Sequence, residues 1–339
     1  MNLRTILLTL LAIAAMASAS FAAAAEPAGP AKSKGTRAAA SEKATKAKAA
    51  RTKSARKRIA ERRPLRPSEG QIAGLHRTGD PLALKSSVAL VVDQDTDEVL
   101  FQKHTNTVLP IASITKLMTA LVTVDAGLPL DEVLEVERSD RTIDRMRSWL
   151  NPGVKITRSQ ALHLALMSSE NHAAQLLGRT YPGGLEAFVQ AMNAKAQLIG
   201  MHDSHFVDPT GLSPENRSSP NDLVRLVKAA YEHQTIREYS VSHEMALPLG
   251  RRTVRYANTN RLTASPNWDI GLQKTGYISA AGRCLVMQAV IEGQRVVMVL
   301  LDSVGKYSRI GDAQRIRDWL EARKALEGDA PAHGAGQLD

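Results

Sequence analysis

The chain predicts an α+β domain. Strand-like apolar runs open the folded part, helices fill its middle, and strands with one last helix close it. Its 339 residues leave room for one large domain or two small ones with ample core.

The elements follow in order. Residues 1–25 read as a secretory signal: Arg4 supplies the positive end, Ile6 to Met16 the apolar stretch, and Ala17-Ser18-Ala19 and Ala23-Ala24-Ala25 offer cleavage sites. That stretch is short for a membrane span, so an exported, periplasmic protein is expected, soluble or peripherally associated with membrane or wall, with an uncleaved anchor as the lesser alternative. Residues 26–75 read as a disordered basic linker. Within it, residues 32–66 hold 14 Lys/Arg against Glu42 and Glu61, with almost no large apolar residue to bury. Because Arg4 and Glu26 cancel, that segment's +12 against a total of +10 leaves about −2 for residues 67–339. Outside the inner membrane the partner available to such a tail is an anionic wall polymer or lipid surface, not nucleic acid, and the equal alternative is a plain solvated tether.

The folded domain is expected over 76–326, opening near Ser86. Ser87 to Val92 and Val99 to Gln102 are strands joined by the turn Asp93 to Asp97. Pro110 suits a helix entry, and Ser113 to Asp125 is a helix with apolar residues nearly all round. Arg158 to Met167 is helical. Ser168-Ser169-Glu170-Asn171 interrupts it, and another helix runs on from Ala173. Leu185 to Leu198 and Asn221 to Tyr231 follow, the latter capped by Ser219 with Pro220 in its first turn. Leu247 to Tyr256 and Ile270 to Thr275 are strand candidates. Cys284 to Ile291 and Val296 to Leu301 form a hairpin, and Ile310 to Ala325 is the final helix before a disordered tail, 327–339.

Cys284, the one cysteine, excludes an intrachain disulfide and sits in an apolar run, as a buried core residue would. His202 and His205 lack a third ligand at a recognised spacing, so no metal is expected. No phosphate-cradling or dinucleotide glycine motif stands in the chain, and no cofactor is expected.

Three short motifs carry chemistry: Ser113-Ile114-Thr115-Lys116, Ser169-Glu170-Asn171 and Lys274-Thr275-Gly276. Residues i and i+3 share a helix face, which sets Lys116 beside Ser113. Burial pushes a lysine toward neutrality and makes it a competent base. Lys274 adds a second cation that lowers the proton affinity of Lys116 and attracts an anionic substrate end. Thr275 can hydrogen-bond a carboxylate, and Gly276 admits substrate backbone closely. Other matches fail on context. Ser54 to Lys57 lies in the basic tail, Ser303 to Lys306 follows K-T-G instead of preceding it, Ser219 to Asn221 is a helix cap, and Ser265 to Asn267 is a turn.

The strings around these motifs resemble the serine D-alanyl-D-alanine peptidases, the low-molecular-mass penicillin-binding proteins, and most closely their endopeptidase branch. They are Pro110 to Ala120, Leu164 to Asn171, Ala191 to Ala196, Pro209 to Ser213 and Asn258-Thr259-Asn260. The resemblance spans about residues 80–325. It implies a β-lactamase/transpeptidase-like fold, with a five-stranded antiparallel sheet flanked by helices and a helical lobe, and the active site between them. It also implies Ser113 as acyl-enzyme nucleophile, Lys116 as proton acceptor, and Ser169 and Asn171 in the proton relay and on the substrate amide. Lys274 and Thr275 would bind the substrate carboxylate, and the backbone N–H groups of Ser113 and Tyr277 would form the oxyanion hole. The implied partners are peptidoglycan stem peptides and cross-links, with β-lactams as covalent inhibitors. Because the sequence runs out soon after its last helix, the extra β domain and C-terminal anchor of the larger carboxypeptidases are not expected.

Two other classes share features with this one. A β-lactamase of the same fold would need a carboxylate on a loop after S-x-N to deacylate, and the chain has Asp208-Pro209-Thr210-Gly211-Leu212 there without the usual pattern. A non-catalytic wall-binding protein would use the basic tail, but would have no use for three intact motifs.

Overall fold

The computed structural model describes residues 66–142 and 148–328. The signal, nearly all of the basic segment with Ser54, and the C-terminal tail lie outside those residues. In chain order the described elements are α1 (Glu69–Ile72), β1 (Ser86–Asp93), β2 (Val99–Lys103), β3 (Leu109–Pro110), a 3₁₀ turn (Ala112–Ile114) and α2 (Thr115–Asp125). Then come β4 (Val133–Glu135), β5 (Lys155–Thr157), α3 (Arg158–Met167), α4 (Asn171–Arg179), α5 (Gly184–Leu198), β6 (Arg217–Ser218), α6 (Pro220–Tyr231) and α7 (Gln234–Val241). The last are β7 (Glu244–Leu249), β8 (Arg252–Ala257), β9 (Asp269–Ile278), β10 (Gly282–Ile291), β11 (Gln294–Ser303) and α8 (Ser308–Gly328).

One sheet of five antiparallel strands, ordered β2-β1-β11-β10-β9, organises the domain. Its strands alternate two apolar faces, as the two-residue period of a strand requires. Ala89, Val91, Leu285, Met287, Met298 and Leu300 face α8, which covers them with Ala313, Ile316 and Leu320. Val88, Leu90, Val92, Val286, Val297 and Val299 face the other way and join one core with α2 and α6. Covering on both faces explains why β1 reads as an unbroken apolar run and is buried along its whole length. α2 is the buried centre of the helical lobe, with Leu117, Met118 and Leu121 inaccessible to solvent. Each such side chain contributes about 1.5–3 kcal/mol relative to exposure.

Four expectations change. The domain begins at about residue 68, inside the expected linker. Ser68 caps α1 in a reciprocal box with Gln71, and the Glu69 backbone N–H donates to Ala280 O at 2.9 Å. A side chain at Gly70 would meet Asp302 Oδ2 at 2.1 Å, so the segment lies hard against the sheet end. Pro110 enters no helix; it sits in β3, paired with Arg217 of β6. Ser113 lies in the 3₁₀ turn rather than the helix, which starts at Thr115. The run Leu247 to Tyr256 is two strands, β7 and β8, forming a hairpin outside the main sheet with Gly250 at its turn at φ 61°.

Candidate active site

The three motifs come from three distant parts of the chain and meet beside the edge strand β9. The 3₁₀ turn carrying Ser113 abuts this strand. A Cβ at Gly276 would fall 2.9 Å from Ile111 O and 3.1 Å from Ser113 N, so only glycine permits the approach. On the opposite wall, the break between α3 and α4 turns outward through Ser169, held at φ 62°. A positive φ at a residue other than glycine is strained, and such strain gathers at functional sites. Thr259, just after β8, joins the walls: its N–H donates to Met167 O at 3.2 Å and its hydroxyl meets Thr275 Oγ1 at 2.7 Å.

Lys116 is fully buried. Its Nζ lies 2.9 Å from Ser113 Oγ, 2.6 Å from Asn171 Oδ1 and 2.6 Å from Thr210 O. Ser113 itself stays partly open to solvent. Lys274 is also fully buried, with Nζ 2.8 Å from Ser169 Oγ and 3.0 Å from Thr275 O. The two seryl hydroxyls therefore each answer to a different lysine. Burial first, and then the nearby charges of Lys116 and Arg309, push the Lys274 ammonium well below the usual lysine range. A carboxylate docking here favours the charged form and reverses that push. Tyr277, next on β9, is exposed under the Arg283 guanidinium, 4.5 Å from the ring centre.

The loop after α5 explains strings that the motifs leave unexplained. Asn193 brackets Phe206, donating to its O at 2.7 Å and accepting from its N at 2.9 Å. Asp208 Oδ1 then accepts from Thr210 N, Thr210 Oγ1 and Gly211 N at 2.6–2.7 Å, and its Oδ2 accepts from Ser213 N at 3.0 Å. This winds the loop so that the Thr210 carbonyl points at Lys116. It also engages both Asp208 oxygens, leaving that carboxylate poorly placed to activate a water.

Two residues at the site carry no motif. Thr259 is one; its role comes from pairing across 16 residues. Arg309 is the other, at the start of α8 beside Lys274 and Arg283. Its Nε and Nη1 are buried without a hydrogen-bond partner, an expensive condition for a guanidinium that an incoming carboxylate would relieve. The discarded motifs stay apart. Ser303 Oγ meets Ser308 Oγ at 2.7 Å instead of Lys306, and Ser219 caps α6 through Asp222 N. Cys284 is buried with its thiol pushed up to about 12, mainly by burial. Among the described residues no three potential metal ligands converge, and no helix is long and apolar enough to cross a membrane.

The family model for D-alanyl-D-alanine carboxypeptidase, peptidase S11, matches residues 76–305. A D-alanyl-D-alanine endopeptidase of Escherichia coli (strain K12) is 44% identical over 252 residues, 74% of this chain and 81% of that protein. One of Pseudomonas aeruginosa is 46% identical over 250 residues, 72% of this chain and 81% of that protein. Among solved structures, the Streptomyces K15 DD-transpeptidase superposes with a TM-score of 0.67 at 26% identity, covering 72% of this chain and 99% of its own. With serine, lysines and asparagine assembled as above, the chain belongs to the peptidase S11 family of D-alanyl-D-alanine carboxypeptidases, which are serine peptidases.

Proposed function

We propose that this protein is a D-alanyl-D-alanine endopeptidase that opens peptidoglycan cross-links through an acyl-enzyme on Ser113, and that penicillins acylate the same oxygen. One observation carries the reading: Lys116 Nζ stands 2.9 Å from Ser113 Oγ in a fully buried setting with two carbonyl-type acceptors. Asn171 Oδ1 and Thr210 O only accept, so each takes an N–H from Lys116. A free amine has two N–H bonds and one lone pair. With the N–H bonds so used, the lone pair faces the Ser113 hydroxyl, ready to receive its proton.

In the forward step Ser113 Oγ bonds to the scissile carbonyl carbon while its proton passes to Lys116 Nζ. The oxyanion forms against the N–H groups of Ser113 and Tyr277, where preorganised donors lower the barrier by a few kcal/mol. Collapse expels the amine of the second stem, which takes a proton relayed through Ser169. Asn171 holds the substrate amide, and the carboxylate beside the scissile bond rests on Thr275, Lys274 and Arg309. Water then releases the acyl group, returning Ser113. Asp208, committed to its own loop, supports slow rather than fast deacylation, which speaks against a β-lactamase.

The names of the relatives tilt the reading toward cross-links over terminal D-Ala. The leading segment fits export to the periplasm, and residues 32–66 fit a tether to an anionic wall or lipid surface. Incubating the protein with cross-linked muropeptide dimers and with monomeric pentapeptides decides the bond. Dimers converted to monomers support the endopeptidase, whereas free D-Ala from pentapeptide with dimers untouched overturns it.

A further inference from the structure

Beyond the carboxylate site the cleft wall continues as a cluster of cations without acids. Arg283 stacks on exposed Tyr277 at 4.5 Å. Past the end of β11, exposed Tyr307 lies beneath both Arg261, at 5.6 Å, and Lys306 Nζ, at 5.1 Å. The charges of Lys306, Arg261 and Arg283 all reach the Tyr307 phenol and hold it below the usual tyrosine range, Lys306 most through its hydrogen bond. Arg309 is pushed below the usual guanidinium range by burial first and then by the charge of Arg283, and its own charge reaches Lys274. Elsewhere on the surface Arg295 pairs with Asp95 and Arg255 with Glu244. Among the described residues Arg261, Arg283, Lys306 and Arg309 form no salt bridge. The nearby acid, Asp302, is buried, with its Oδ2 turned to His76 at 2.8 Å and Ser87 at 2.9 Å.

Such concentration of like charge is unfavourable in the empty protein and becomes favourable only against an anion. Its position says which one. A carboxypeptidase expels a single amino acid, which ends at Lys274 and Thr275. An endopeptidase expels a whole stem, which must run on past the carboxylate site, and wall stems carry further free carboxylates.

We infer that Arg261, Arg283 and Lys306, with Tyr277 and Tyr307 as their aromatic floor, form a subsite for the acidic leaving-group stem peptide of the cross-link. This rests on the endopeptidase reading and deepens it. The subsite grips the departing strand by its carboxylates, so it lowers KM for dimers and does nothing for terminal D-Ala release. Tyrosine rings beneath cations also fix the guanidinium planes for bidentate contact.

The test uses the full-length protein and the triple variant R261Q/R283Q/K306Q. For cross-linked dimers the variant should show a KM raised about tenfold at low salt, with kcat within about twofold, the sum of three modest charged contacts. Acylation by benzylpenicillin, which carries no second stem, and D-Ala release from pentapeptide should be unchanged and also report that the variant is folded. Dimers amidated on the leaving stem should show the raised KM already with the unaltered protein, and no further rise with the variant. Unaltered KM for dimers in the triple variant overturns the subsite alone. Failure of the parent protein to cut dimers, with D-Ala still released, overturns the endopeptidase reading and the subsite with it.

Discussion

Lys116 and Lys274 are both buried, yet their neighbours give them different work. Lys116 reaches Ser113, Asn171 and Thr210, and Lys274 reaches Ser169 and Thr275. Lys116→Arg puts a permanently protonated group in its place, with no lone pair to take the Ser113 proton. Acylation by labelled penicillin should fall by about 10²–10⁴, the usual worth of a general base, with circular dichroism unchanged. Near-normal acylation would reduce Lys116 to an electrostatic neighbour. Lys274 is depressed by burial and by two cations, so protonating it opposes folding. That penalty is full below its lowered folded value and vanishes as pH rises to the ordinary 10.5. Denaturant unfolding should therefore find Lys274→Met at least as stable as the parent at neutral pH, with its margin shrinking toward pH 10.5. A margin that widens as pH rises would contradict this sign. The motif lysines were legible because i, i+3 spacing and motif order are local properties. Arg309 was not, because nothing near it in sequence marks it; Thr259 stood inside the string Asn258-Thr259-Asn260, but its pairing with Thr275 of β9 exists only through the tertiary fold.

The elements show the same division. Helices α3 and α6 carry their start signals in Thr157 with Gln160 and in Ser219 with Pro220, and they begin where those signals stand. The sheet strands were readable from unbroken apolar runs. Helix α7 was missed because only Ile236 and Ser240 of its residues are buried, too few to make a stripe. The 3₁₀ turn at Ser113 was missed because it packs against Gly211 of another loop, a contact no local pattern records. Gly211 has φ 77°, and a Cβ there would sit 1.9 Å from Ala112 O. Gly211→Ala should lower stability by about 2 kcal/mol or more, through backbone strain and displacement of the turn. It should also slow acylation, since the Thr210 carbonyl beside it orients Lys116. Thermal melting and penicillin labelling read the two effects, and an unchanged Tm would refute the packing argument.

Over the whole molecule, the N-terminal strap closes what the sheet leaves open. Residues 68–77 bring Glu69 to Arg217 at 2.8 Å and His76 to Asp302 at 2.8 Å, the latter at the end of β11. Composition placed this segment in a linker because its apolar content is low; its order comes from hydrogen bonds and ion pairs, which composition does not register. Removing residues 1–65 should leave the melting temperature unchanged. Removing 1–77 should lower stability by roughly 1–3 kcal/mol, because Asp302 loses His76 and the sheet end loses its cover. Equal stability of the two truncations would return the strap to linker status. The proposed chemistry of the whole molecule converges on one oxygen, Ser113 Oγ. Full-length protein incubated with benzylpenicillin, digested and mapped by mass spectrometry, should carry a penicilloyl adduct on the peptide containing Ser113 and on none containing Ser54, Ser169 or Ser303. The adduct should vanish in Ser113→Ala while the fold persists. An adduct mapped to another serine, or one that survives Ser113→Ala, would contradict the account.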